Sequence, residues 1–149
     1  MSQRELVEFA DKVSQIMPVL LRSFAKHQAN ELYKGKITFP QFLVLDCLYR
    51  EKQARMNSLA AFMHVSTAAM TGLVERLVRD GYCVRRYEPS DRRIINIRLS
   101  EKGEAMVMRI NEQRRRMVID IFGQISLKDR EEYLMILQQV KDILVKKGQ

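Results

Sequence analysis

The 149 residues contain no tryptophan, two cysteines, three prolines and six glycines. So little proline and glycine excludes a collagen-like chain or a long disordered tract, both of which depend on them. The two cysteines, Cys47 and Cys83, form no Cys-x-x-Cys pair and have no histidine close in sequence, so a zinc-binding pattern is excluded. Each lies among apolar neighbours and reads as a reduced, small hydrophobic residue. The two histidines, His27 and His64, are far apart and offer no metal pair.

Long apolar runs are missing too. The stretch Ile16 to Leu21 falls far short of the roughly 18 residues a membrane span needs and contains Pro18. The first eight residues have no basic segment leading into an apolar one, so no secretory leader is expected, and the chain is expected to be soluble and cytoplasmic with no membrane partner. There is no Gly-rich phosphate loop, no Gly-x-Ser-x-Gly and no His-Glu-x-x-His, so neither an enzyme nor a cofactor is expected.

What is present is positive charge, with 26 Lys and Arg against 18 Asp and Glu for a net charge of +8. That excess favours an anionic partner, and nucleic acid is the first to consider. Leu6, Phe9, Ala10, Val13, Met17, Leu20, Leu21 and Phe24 step by three and four, which predicts a long first helix to about His27 with one apolar face. Asn30 to Lys36, with Gly35, reads as a connection. Thr38 and Gln41 form a capping-box pattern that opens a second helix, from about Phe39 to Arg50, with Pro40 in its first turn where a missing amide costs nothing. That helix is expected to bury Phe42, Leu43, Leu45, Cys47 and Leu48.

The polar stretch Glu51 to Arg55 reads as a connection. A short helix is expected from Asn57 to Met63, then a turn through His64 and Val65, then a helix capped by Ser66 and ended by Gly81. Met70, Leu73, Val74, Leu77 and Val78 share one face of this fourth helix, and Thr67, Ala68, Thr71, Gly72, Glu75, Arg76 and Arg79 the other. From Tyr82 the period changes to two, with Tyr82 and Val84, then Ile95, Ile97 and Leu99, alternating with polar or basic residues. Cys83 to Tyr87 and Arg93 to Leu99 are expected to pair around the turn Glu88-Pro89-Ser90-Asp91. Ser100 opens a long helix to about Phe122, broken by Gly123. Ser126 and Asp129 then start a last helix carrying Leu127, Leu134, Ile136, Leu137, Val140, Ile143 and Leu144.

A short helix, a three-residue turn, a helix with small residues at its start and a two-stranded hairpin, in that order, make a winged helix-turn-helix. A duplex major groove admits one helix, and small N-terminal side chains let its backbone approach the base edges. Ser66, Thr67, Ala68, Thr71, Gly72 and Arg76 are the candidate contacts on that helix, with a methyl of Ala68 or Thr71 able to touch a thymine methyl. Arg85, Arg86, Arg92, Arg93 and Arg98 charge the hairpin. Asp91 is placed to fix the Arg93 guanidinium by an ion pair across the turn, which assigns Arg93 to the minor groove and Arg92 to phosphate.

The stretches Leu59-Ala60-Ala61-Phe62-Met63-His64-Val65-Ser66, Met70 to Leu77, Asp80-Gly81-Tyr82-Cys83-Val84-Arg85-Arg86, Asp91-Arg92-Arg93 and Leu99-Ser100-Glu101-Lys102-Gly103 resemble the MarR family of bacterial transcription regulators. The resemblance covers residues 38 to 104. It implies a mainly helical chain with a small β-hairpin wing, read as one domain over residues 1–149. Residues 1–30 and 104–149 would be dimerisation helices, and residues 38–103 the DNA-binding lobe. It further implies a homodimer on a pseudo-palindromic double-stranded operator, acting as a ligand-responsive repressor whose effector is a small aromatic or anionic molecule. Met17, Leu20, Phe24, Phe42, Leu45 and Leu48 are the expected pocket walls.

Two positions depart from the family pattern. Gly72 stands where many members carry arginine, and His64 where the turn often has glycine. No cysteine lies in the first helix, where the peroxide-sensing branch carries one. The competing reading is a winged helix that binds protein, or nucleic acid without sequence preference, and has no regulatory ligand.

Overall fold

The capping signals of the sequence become helix ends in the structure. The computed structural model describes residues 2–27 and 34–148; of the connection expected at Asn30 to Lys36, the part through Tyr33 lies outside them, as does the side chain of His27. The described residues form α1 (Gln3–His27), α2 (Phe39–Glu51), β1 (Ala54–Arg55), α3 (Met56–Met63), α4 (Thr67–Arg79), β2 (Cys83–Glu88), β3 (Asp91–Leu99), α5 (Glu101–Phe122) and α6 (Leu127–Lys147). This is the mainly helical winged helix-turn-helix expected from the sequence. It divides into two compact units, Met1–Gln113 and Arg114–Gln149.

In the first unit, Thr38 Oγ1 accepts from the Gln41 amide at 3.3 Å while Gln41 Oε1 accepts from the Thr38 amide at 2.9 Å, so the capping box closes in both directions. The core gathers Phe42, Val44, Leu45 and Leu48 of α2, Leu59 of α3, Met70, Val74 and Leu77 of α4, Ile97 of β3, and Val107 and Ile110 of α5. Burying one face of each element against the others supplies the main driving force. Val44 is buried and Leu43 only half-buried, so α2 turns toward the core slightly differently from its expected face. Met70 and Met106 are buried, whereas Met17 and Met135 are exposed.

Two strand assignments are corrected. The stretch read as a polar connection contains β1, which pairs antiparallel with β3 through Ala54↔Ile97 and Arg55↔Asn96, giving a three-stranded sheet in the order β1-β3-β2. Two residues are too few to show alternation, and this strand exists because β3 offers it an edge. In the hairpin, Cys83 pairs with Leu99 and Arg85 with Ile97. The inward face of β2 is therefore carried by Cys83 and not by Val84, and Tyr82 is buried just ahead of the strand.

The start of α5 is fastened to the α4–β2 turn. The Ser100 amide donates to Tyr82 O at 3.0 Å, and Ser100 Oγ donates to Gly81 O at 2.5 Å while accepting from the Gly103 amide at 3.0 Å. Lys102 Nζ donates to Asp80 O at 2.7 Å and stands 4.4 Å over the Tyr82 ring. Gly103 is required here, because a Cβ at that position would lie 2.0 Å from Tyr82 O.

In the second unit, Ser126 caps α6 by accepting from the Asp129 amide at 3.2 Å, and Phe122 stacks on Tyr133 with ring centroids 5.3 Å apart. The apolar stripe of α6, including Leu134, Leu137, Val140 and Leu144, is exposed. No helix of the described residues is long and apolar enough to cross a membrane.

Candidate nucleic-acid interface

The turn that precedes α4 is built by local hydrogen bonds. His64 adopts the left-handed conformation, φ 53° and ψ 42°, and its amide donates to Ala61 O while that of Val65 donates to Ala60 O. Histidine is among the residues that tolerate this region, so His64 serves the turn in place of glycine. Ser66 is the N-cap of α4, its Oγ accepting from the Ala69 amide at 3.1 Å.

Burial of Met70, Val74 and Leu77 at spacings of three and four orients α4. Thr67, Ala68, Glu75, Arg76 and Arg79 are left exposed, and Thr71 and Gly72 half-buried. The sequence-predicted recognition residues are thus brought to one outward face. Thr71 Oγ1 donates to Thr67 O at 2.8 Å, Arg76 Nε donates to Gly72 O at 3.2 Å, and the Glu75 carboxylate lies 3.9 Å from the Arg85 guanidinium. A Cβ at Gly72 would meet nothing within 4 Å.

The five hairpin arginines differ in availability. Arg85 shares the inward sheet face with Ile97 and pairs with Glu75, and Arg98 donates its Nε to Gln53 Oε1 at 2.8 Å. Arg86, Arg92 and Arg93 are exposed and form no ion pair among the described residues. The two acids near the tip are spent on the backbone and sheet. Glu88 Oε2 accepts from Asn96 Nδ2 at 2.9 Å beside the irregularity at Tyr87/Glu88. Asp91 Oδ1 accepts from the Arg93 amide at 3.0 Å. This corrects the expected ion pair: Asp91 braces the turn through the Arg93 main chain and leaves the guanidinium unpaired.

Residues 37–95 match the MarR family model. Over that stretch the chain is similar to the MarR family. The uncharacterized HTH-type transcriptional regulator YsmB of Bacillus subtilis is 30% identical over 95 residues, which span 64% of each chain, less than two thirds of that relative's length. A MarR family protein from Bacillus stearothermophilus has the same fold, with a TM-score of 0.80, 24% identity and coverage of 97% of this chain and 99% of that one. A MepR-like protein complexed with pseudoligands matches with a TM-score of 0.59 and 25% identity over 90% of this chain and 94% of that one. Such relatives are transcription regulators, not enzymes.

The residues expected to wall a pocket lie in different surroundings in the single chain. Phe42, Leu45 and Leu48 are fully buried in the lobe core, whereas Met17 and Leu20 are 45% and 41% exposed on α1 and Phe24 is half-buried. Apolar residues at helical spacing signal a packed face equally well, so sequence cannot distinguish core from pocket wall. A cleft of about 380 Å³ in the lobe is lined instead by residues of α2, β1, α3 and the connection between them, among them Cys47, Arg50, Gln53, Leu59 and Phe62. Both cysteines are buried, and burial pushes the Cys47 thiol up and the Cys83 thiol up to about 12, against the depressed value a reactive thiol needs.

Proposed function

We propose that this chain is a sequence-specific double-stranded DNA-binding regulator of transcription, working as a cytoplasmic homodimer on a pseudo-palindromic operator. The observation that carries the reading is the pairing, within one lobe, of an α4 face of small residues with a wing whose Arg86, Arg92 and Arg93 have no ion-pair partner among the described residues. A helix of that profile fits a major groove, and unpaired arginines on a narrow hairpin fit the phosphates and the adjacent minor groove. Ser66, Thr67, Ala68, Thr71, Gly72 and Arg76 then belong to the recognition helix. Arg92 contacts phosphate and Arg93 the minor groove, on a turn braced by Asp91.

Dimerisation is supported by the apolar residues exposed on α1 and α6, which a lone chain would leave in water. Repression relieved by a small aromatic or anionic effector follows from the family, and the pseudoligand complex of the MepR-like relative supports it.

The test is fluorescence anisotropy of the full chain on the DNA upstream of its own gene, against a scrambled duplex of equal length, over a salt series. A preference of about a thousandfold with a steep salt slope is expected. Arg93→Ala should weaken binding and lower that slope by about one. Equal weak affinity for both duplexes, or none at low salt, overturns the reading in favour of a nonspecific or protein-binding module. Repeating the titration with aromatic carboxylic acids tests the effector, which must release the DNA.

A further inference from the structure

Resting on that DNA-binding reading, we propose that α4 reads thymine methyl groups, through Thr71 and Ala68, so that the bases facing its first two turns are A·T pairs. What this face can read depends on which hydrogen-bonding groups it still has to offer. Thr71 has committed its hydroxyl proton to Thr67 O at 2.8 Å, so toward a base it presents a methyl and an acceptor lone pair. Ala68 is exposed and presents only a methyl, and Gly72 presents nothing. Beyond them, the Arg76 Nε is drawn back to Gly72 O and the Glu75 carboxylate faces Arg85.

Guanine shows two acceptors, O6 and N7, in the major groove and is commonly read by an arginine or lysine fork. Residues Thr67 to Leu73 contain neither, nor the asparagine or glutamine that would pair with adenine. An A·T pair presents an N6 donor and a C5 methyl in the major groove, and these complement the acceptor and methyl of Thr71. Cytosine offers a donor but no methyl, so it matches half as well. The wing agrees independently. Unpaired arginines gain most from a narrow minor groove, and A-tracts are where that groove is narrow.

The test uses the duplex that the full chain enriches from a random-sequence library, resynthesised with deoxyuridine in place of each thymine in turn, which removes a single methyl and keeps every hydrogen bond. Affinity is expected to fall about fourfold for each methyl in contact with α4, the factor corresponding to one buried methylene-sized group. Thr71→Ser keeps the hydroxyl and removes the methyl. It should weaken thymine duplexes and abolish the sensitivity at its own position, as should Ala68→Gly at the neighbouring one.

Because the readout is sensitivity to a base change within each variant, loss of helix stability in Ala68→Gly does not mimic the result. Equal affinity for thymine and deoxyuridine duplexes, with the scrambled duplex still rejected, overturns the methyl reading and leaves the regulator reading intact. So does deoxyuridine sensitivity that persists in both variants, or a requirement for guanine N7 opposite α4, detected with 7-deazaguanine. If no duplex is enriched at all, the DNA-binding reading itself fails, and this one with it.

Discussion

Two glycines of the lobe do opposite things, and a single added methyl group distinguishes them. At Gly103 it would sit 2.0 Å from Tyr82 O, a contact that only backbone movement can relieve, so Gly103→Ala should destabilise the lobe by about 2–3 kcal/mol. At Gly72 the space is open and the backbone helical, so Gly72→Ala should stabilise by up to about 1 kcal/mol. Urea midpoints of the two variants check both signs. Cys83 supplies a prediction in pH. Its folded thiol is held up to about 12 by burial, against an ordinary value of 9.0, so the folded state keeps the proton longer. That contribution is fully present below pH 9 and is lost as pH rises toward 12. The stability advantage of the native chain over Cys83→Ala should therefore shrink across that window, and native Cys83 should resist thiol reagents at neutral pH.

Helix ends were the most legible elements because their signals are local. The hydroxyls of Thr38, Ser66 and Ser126 each accept the amide three residues on, as the capping pattern requires, and Gly81 takes the positive φ of 82° expected of a left-handed cap. What sequence missed depends on partners distant in the chain. Ala54–Arg55 becomes a strand only because β3 lies beside it. The inward parity of β2 is set by its register with β3, which brings Cys83 opposite Leu99. Within the candidate site, the residue types and their common face were readable. Their hydrogen bonds were not: Asp91 engages the Arg93 amide and Arg85 meets Glu75, choices made by backbone geometry. Pocket walls are illegible for a similar reason, since helical spacing does not say whether Phe42, Leu45 and Leu48 face a void or one another.

For the molecule as a whole, α1 and α6 carry exposed leucine, isoleucine, valine, phenylalanine and methionine side chains over most of their length. Placing such surfaces in water is costly, and a second copy is the partner proposed for them. Leu20→Glu on α1 and Leu134→Glu on α6 should each shift sedimentation from dimer to monomer and remove the dependence of Tm on protein concentration. A chain that sediments as a monomer before any substitution would refute the homodimer. The net charge of +8 acts over longer range, speeding encounter with a polyanion at low ionic strength and fading as salt rises.

The two-residue strand β1 has a consequence that its length conceals. It leads directly into α3, which leads through a three-residue turn into α4, while it is hydrogen-bonded to β3, the strand that carries Arg92 and Arg93. The helix-turn-helix and the wing are consequently sewn together at both ends of the motif, by β1 on one side and by the Ser100 clasp on the other. A protein built this way has the geometry of a fixed caliper. The gap between α4 and the wing is set during folding, so on the proposed DNA-binding reading a duplex whose neighbouring grooves do not match that gap would be refused on dimension before any base is consulted.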